Sequence, residues 1–314
     1  VSIKRGIFRI LMVWGTLVLV VALFGKVAVA TDSGRATAEF LNIGVGARAA
    51  GLGGAYSAIS ADASAVYWNP SGVAGIDETQ FFVSHISWYQ DINYEFLGAS
   101  YPASDRVTLS ASASYLSYGS IEGYDEFDNP TGDVNSTYDM AGGISIGYTV
   151  TDNLALGVTA KYVMLSLAGQ TANAMAADFG ASATFNRLSL GLVVSNFGQK
   201  VSFDNTDENL PTALRVGASY AFVESFMAAL EVEHQFYGDM LIKNGVEYSY
   251  DGRYFMRAGI CHYADVDGRD LADGLTFGVG ALLGPAQFDY AYSPSEGFSS
   301  ESIHRLSVAF SLNR

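Results

Sequence analysis

The chain has 314 residues, 49% of them hydrophobic, and its 32 acidic residues outnumber the 17 basic ones for a net charge of −15. So acidic a chain argues against nucleic acid as a partner, and one this long and apolar does not read as disordered. A single cysteine, Cys261, excludes a disulfide framework within the chain.

Lys4, Arg5 and Arg9 open the sequence as a basic segment, an apolar stretch runs from Ile10 to Phe24, and Ala28-Val29-Ala30 has the small-x-small form of a processing site. Residues 1–30 therefore read as a cleaved secretory signal peptide. The apolar stretch is about fifteen residues, short of the ~20 a spanning helix needs. No cysteine stands at the processing site, which argues against a lipoprotein. The segment holds four of the 17 basic residues and none of the acids, so residues 31–314 carry 13 basic residues against 32 acidic ones. No later apolar run approaches the length of a membrane helix. A mature chain that crosses a membrane must do so with strands.

Residues 31–78 are rich in Gly and Ala and include "GVGARAAGLGGAYSAISADASAVYWNPSGVAGI", Gly44 to Ile76. This stretch is too glycine-rich for an ordinary helix and too apolar for a linker. Asn69-Pro70 sets a turn, and Gly72 allows backbone freedom after it.

From residue 79 the period is two. Leu154, Leu156, Val158, Ala160, Tyr162 and Met164 alternate with small or polar residues, as do Leu188, Leu190, Leu192 and Val194, then Leu214, Val216, Ala218, Tyr220 and Phe222, and lastly Leu306, Val308, Phe310 and Leu312. Fourteen strands are expected, at about 79–90, 93–101, 106–118, 138–150, 154–166, 174–185, 188–197, 212–222, 226–237, 241–250, 254–263, 274–283, 286–293 and 302–312. A soluble sandwich alternates in the same way. Strands of about nine to thirteen residues suit a tilted membrane strand better than the usual five or six.

The connections separate the two readings. Gaps after even-numbered strands are short turns, whereas those after odd-numbered strands include long loops at 119–137, 198–211, 264–273 and 294–301. Bacterial outer-membrane barrels are built this way, with short turns toward the periplasm. A Thr-Asp-Asn turn pairs Val150 with Leu154 and hence Ile146 with Val158, and an Asn-Arg turn pairs Phe185 with Leu188. A Val-Glu-Ser turn pairs Phe222 with Phe226 and sets Arg215 opposite Glu233. An Asp-Gly-Arg loop sets Glu247 opposite Arg257. A slip of one residue breaks every match. Tyr148, Phe185, Phe222, Phe226, Tyr248, Tyr250, Tyr254 and Phe310 then fall near the short-turn rim, where a bilayer interface favours aromatic rings.

The expected fold is all-β: a transmembrane barrel of about fourteen antiparallel strands at 79–314, with residues 31–78 as a hatch inside its lumen. So wide a lumen is not filled by its own side chains, and Leu52, Val66, Tyr67 and Trp68 suit a dry interior.

"FLNIGVGARAAGLGGAYSAISADASAVYWNPSGVAGI", Phe40 to Ile76, resembles the amino-terminal block of the PorV/PorQ proteins within the wider FadL-like group of outer-membrane barrels. The resemblance rests on Gly44-x-Gly46-Ala47-Arg48, Gly51-x-Gly53-Gly54-Ala55, Asp62-x-Ser64 and Trp68-Asn69-Pro70. FadL relatives carry Asn-Pro-Ala where Ser71 follows Pro70 here. The resemblance implies a fourteen-stranded barrel plugged by its N-terminus, in the outer membrane of a Gram-negative-type bacterium, with the N-terminus periplasmic. It implies two activities: uptake of long-chain fatty acids or other hydrophobic compounds, or service in type IX secretion, receiving cargo proteins through their carboxy-terminal signal domains. Outer-membrane lipid is a partner in either case.

Inward positions include Lys161, Arg215, Glu231, Glu233, Lys243, Glu247, Arg257 and Arg305. They form either a polar site that orients a ligand carboxylate or a ladder of ion pairs. The ladder is favoured, because opposite charges on adjacent strands neutralise each other. Arg48 and Asp62 form a buried pair or each cap a turn. The long loops are acidic: Glu122, Asp125, Glu126, Asp128 and Asp133; Asp204, Asp207 and Glu208; Asp265, Asp267, Asp270 and Asp273. Asp265, Asp267 and Asp270 in "DVDGRDLAD" are a weak candidate for Ca²⁺, since their spacing departs from the EF-hand loop. No cofactor is expected. No catalytic group is evident either: His85, His234, His262 and His304 fall on separate strands, Cys261 reads as a small inward residue, and "GLGG" and "GVGAR" lack the Lys-Ser/Thr of a phosphate loop.

Overall fold

The computed structural model describes residues 36–88, 92–119, 121–124, 127, 129–134, 137–167, 169–203, 206–264, 274–294 and 302–312, with the backbone alone at 121, 122, 124, 131–134 and 203. The expected signal segment and the loop acids Asp265, Asp267 and Asp270 lie outside these residues.

Fourteen strands close into a barrel in which each pairs antiparallel with its neighbour and the last returns to the first. They are β1 Thr79–Ser87, β2 Asn93–Ser104, β3 Val107–Ser117, β4 Tyr138–Thr151, β5 Leu154–Leu167, β6 Gln170–Phe185 and β7 Leu188–Gly198; then β8 Ala213–Val223, β9 Phe226–Gln235, β10 Met240–Tyr250, β11 Tyr254–Tyr263, β12 Leu275–Leu283, β13 Ala286–Ser293 and β14 Ile303–Leu312. Closure leaves no unpaired edge. Two short hairpins, Ile121–Tyr124 with Pro130–Val134 and Val201–Phe203 with Thr206–Glu208, ride in the long loops.

The alternation has the expected sense. Leu97, Ile144, Met256 and Leu306 point outward and stay more than half exposed, while Arg215, Glu231 and Arg257 point inward and are buried. Ile146 pairs with Val158, Phe185 with Leu188, Arg215 with Glu233 and Glu247 with Arg257.

Two turns differ from expectation. Thr151, not Val150, pairs with Leu154, and Val223, not Phe222, pairs with Phe226. Val150 and Phe222 are single-residue bulges beside two-residue turns, and Ala103 does the same between β2 and β3. A bulge absorbs one residue, so the register beyond it matches that of a three-residue turn. The sixth strand also starts earlier than expected, at Gln170, because Ala172 and Ala174 continue its buried inward face. Only residues 168–169 then separate it from β5.

The aromatic residues assigned to the short-turn rim are mostly exposed there, among them Tyr148, Phe185, Tyr250 and Tyr254. Residues 36–78 lie within the barrel. They form a 3₁₀ turn at Glu39–Asn42, helix α1 at Ala47–Gly51, helix α2 at Ala65–Trp68 and a second 3₁₀ turn at Pro70–Gly75. α1 packs on β11 to β14, and the second 3₁₀ turn packs on β3 to β6.

Candidate functional site: the hatch and the wall around it

A short, irregular segment buried in a barrel has backbone groups that no regular ladder satisfies. The wall answers with two kinds of inward residue. Some strands supply acceptors and donors. Gly46 N–H donates to Ser84 Oγ at 3.1 Å, Ala47 N–H to Ser307 Oγ at 3.0 Å, Gly53 N–H to Thr276 Oγ1 at 3.1 Å and Ser57 N–H to Glu231 Oε2 at 2.8 Å. Thr108 Oγ1 donates to the Ile76 carbonyl at 3.2 Å. Other strands supply glycine, and there the hatch lies directly on wall backbone. A Cβ at Gly98, Gly147, Gly157, Gly180, Gly191, Gly217, Gly245 or Gly259 would come within 3.0 Å of hatch atoms. Gly147, Gly157 and Gly180 are successive cross-strand partners on β4, β5 and β6, Gly191 faces Gly217, and Gly245 faces Gly259.

Trp68-Asn69-Pro70 ties the hatch to itself. Trp68 Nε1 donates to the Val45 carbonyl at 3.0 Å, and the Tyr67 hydroxyl donates to that of Leu41 at 3.1 Å. Asn69 is fully buried; its Nδ2 donates to the Ser57 carbonyl at 2.7 Å, and its Oδ1 accepts from the Ser71 N–H at 3.1 Å. That last bond caps the 3₁₀ turn, which Pro70 begins with its preset φ. Gly44 lies against the Trp68 ring, Gly51 against Gly278, and Gly53 and Gly54 hold positive φ of 65° and 81° beside Ile260 and Lys243.

The eight expected inward charges are all turned to the lumen, and they assemble as separate clusters rather than one continuous ladder. At the first, Glu233 Oε2 lies 2.8 Å from Arg215 Nε and 2.6 Å from Lys243 Nζ, and Lys243 reaches Glu231 at 3.4 Å. The Arg215 guanidinium stands 5.6 Å from the Tyr67 ring centre and 5.7 Å from that of Trp68, within cation–π range. At the second, Arg48 makes a two-point contact with Glu247 at 2.9 and 3.0 Å. Arg257 bridges Glu247 and Asp289, at 2.6 Å to each. Lys161 pairs with Asp178 at 2.6 Å, and Arg305 donates to Ser293 at 3.0 Å. The Arg215 and Arg257 clusters each hold two cations and two carboxylates, so burial leaves no net charge to stabilise.

Asp289 and Asp178 were not among the expected inward charges, although both obey the alternation. Arg48 and Asp62 do not form the direct pair considered from the sequence. Arg48 reaches the wall, while Asp62 accepts from the Tyr56 hydroxyl at 2.7 Å and the Ser64 N–H at 2.9 Å, capping a turn. Arg48 stacks over Tyr56, 5.7 Å from its centroid, which links the two indirectly. Burial, with Asp62 beside it, raises the Tyr56 hydroxyl pKa well above its ordinary value, and burial pushes Tyr67 up to about 12. Burial opposes the Arg48 charge, but the two-point contact with the Glu247 carboxylate outweighs it and holds the guanidinium protonated.

Arg48→Ala is expected to lower hatch and barrel stability by about 1 to 3 kcal/mol. The measurement is the temperature at which the folded barrel changes mobility on gels. An unchanged temperature alongside altered uptake would mean that Arg48 serves a ligand instead.

Cavities border the hatch at both ends. One of about 320 Å³, toward the long-loop end, includes Glu39, Trp68, Arg215, Lys243, Cys261 and Arg305 in its lining. Two of about 160 and 540 Å³ open toward the short turns, and Arg48 and Ala61 border both. Among the described residues no three His, Cys, Asp or Glu side chains gather as metal ligands.

The family model of the type IX secretion system protein PorV matches residues 29–241. The chain belongs to the PorV family. No curated protein matches its sequence. Among solved structures, this PorV-family chain resembles the toluene transporter TbuX of Ralstonia pickettii, with a TM-score of 0.61 at 15% identity, covering 86% of this chain and 99% of that one. The toluene transporter TodX of Pseudomonas putida gives 0.60 at 15% identity, covering 86% and 98%. A FadL homologue of Pseudomonas aeruginosa gives 0.55 at 12% identity, again covering 86% and 98%. At such identities the likeness is one of fold. The PorV-family chain is thus an outer-membrane barrel of FadL-like architecture.

Proposed function

We propose that this barrel is a closed, non-catalytic component of protein secretion, holding a secreted cargo protein at its long-loop rim on the cell exterior, with the N-terminus on the periplasmic side. The close seating of the hatch on the inner wall carries this reading. The cavity at the long-loop end shares no lining residue with the two at the short-turn end. A hatch so tied to the wall suits a docking platform better than a conduit, and the secretion role named for the family model points the same way.

One observation favours passage of hydrophobic compounds instead. Ile86, Tyr94, Phe96, Leu116, Val163 and Leu165 are buried on the inner wall and continuous with Tyr67 and Trp68 of the hatch. Deleting the gene separates the two readings. Secretion predicts cargo retained in the periplasm, unchanged uptake of labelled fatty acid or toluene, and no conductance from the purified barrel in planar bilayers. Normal secretion with lost uptake would replace this reading with transport.

A further inference from the structure

The front end of the hatch is held differently from the rest. Residues 44–76 bond to the wall through Gly46, Ala47, Arg48, Gly53, Ser57 and Ala63. Residues 36–42 do not. Among the described residues, their one hydrogen bond outside the hatch runs from the Thr37 N–H to the Asn209 carbonyl, at 2.9 Å. Asn209 belongs to the loop between β7 and β8, where it faces Ala36 in an isolated parallel bridge. Leu210 beside it and Val201 earlier in the loop are buried in one apolar cluster with Ala38, Phe40 and Leu41. Thr206, Asp207 and Glu208 are exposed. Residues 206–212 thus form an arm that runs from solvent onto the front end of the hatch and back to the wall.

The base of that arm is pinned by a single residue. β6 and β7 shift register at Asp178, which faces both Ser195 and Asn196. Strict alternation would turn Asn196 outward with Leu192 and Val194. The bulge turns it inward, where it is 1% exposed at a left-handed φ of 57°. Asn is one of the few residues that accept that backbone. Every polar group of Asn196 is then engaged. Its N–H donates to Asp178 Oδ1 at 2.7 Å, and its Oδ1 accepts from Lys161 Nζ at 2.9 Å. Its Nδ2 donates to the Pro211 carbonyl at 3.1 Å, and its own carbonyl accepts from Thr212 Oγ1 at 2.9 Å. Among the described residues, Lys161 and Asp178 bond nothing in the hatch, so this ion pair of 2.6 Å serves the loop.

We propose that residues 206–212 are a strap over the front end of the hatch, and that Lys161, Asp178 and Asn196 are its latch. Release of the latch frees residues 36–42 while residues 44–76 stay seated on the wall. Glu39 and Asn42 line the cavity at the long-loop end, so the freed segment is one side of that cavity. The strap is independent of the secretion reading, because every contact that makes it lies within the chain.

Hydrogen exchange of the barrel purified from outer membranes, followed by mass spectrometry, tests this. Asn196→Gly keeps the left-handed backbone and removes only the side chain. It should speed amide exchange in residues 37–43 by about tenfold or more, with residues 64–76 within about twofold of the parent. Leu210→Ala, on the arm itself, should give the same pattern without touching the latch. Facing residues of a bridge stand about 5 Å apart, within the reach of a disulfide. Ala36→Cys with Asn209→Cys in a Cys261→Ser background therefore ties the strap down. Oxidising that pair should cancel the effect of Asn196→Gly, and reducing it should bring the effect back. Heat-dependent gel mobility verifies that each variant is folded. The proposal fails if the folded variants exchange residues 37–43 as slowly as the parent, or if the whole hatch loosens alike. It fails equally if the two cysteines do not join, or if their disulfide leaves the faster exchange in place.

Discussion

Gly157→Leu is expected to unseat the hatch and turn a closed barrel into a conducting one. A Cβ at Gly157 falls on the Pro70 carbonyl and beside the Ser71 N–H. Neither side has room to yield. β5 is held in ladders on both flanks, by β4 and β6, and the Pro70 turn is anchored through Asn69. Overpacking against side chains costs about 1–3 kcal/mol, and backbone on both sides puts this site at about 3 kcal/mol or beyond. Strand pairing makes no use of the side chain, so the barrel still closes. Conductance in planar bilayers should rise at least tenfold, and added protease should cut within residues 36–78. Gly142→Leu on the neighbouring strand is the control. Gly142 points outward, and a Cβ there meets nothing nearer than 3.9 Å, so its effect stays within about 0.5 kcal/mol. A silent Gly157→Leu channel with unchanged heat resistance would show that the hatch does not depend on this contact.

Arg215→Met is the second large effect, with an expected loss of about 3–5 kcal/mol. Arg215 is 2% exposed and holds Glu233 while lying under Tyr67 and Trp68. Removing it leaves two carboxylates, Glu231 and Glu233, to share Lys243, and the hatch loses its cation–π support. Denaturant unfolding followed by Trp68 emission measures the loss. Arg215→Met with Glu233→Gln should recover part of it, since the unmatched buried charge is then gone. A single variant within about 1 kcal/mol of the parent would sink the view that this cluster holds hatch to wall.

Charge placement was legible where chain neighbours decide it. Hairpin parity sets Arg215 against Glu233 and Glu247 against Arg257 because each pair spans one turn. The same parity marks Asp289, between Phe288 and Tyr290, and Asp178, between Ala177 and Phe179, as inward. What parity cannot say is that Arg48 crosses to Glu247, 199 residues away. Nor does it separate a glycine that fills space from one that admits another backbone. Gly143 and Gly157 are both inward by parity; a Cβ at the first meets wall side chains, whereas the second lies against Pro70.

By itself, then, the amino-acid sequence determined the strands, their inward and outward faces and the hatch block, because side-chain direction along a strand repeats every two residues and turns are local. Only the tertiary structure decided the rest. The seating of residues 36–78 and the pairing of Arg48 with Glu247 result from closing the cylinder around a segment distant in the chain. Such contacts depend on where two surfaces meet in space, and a period of two holds no record of that.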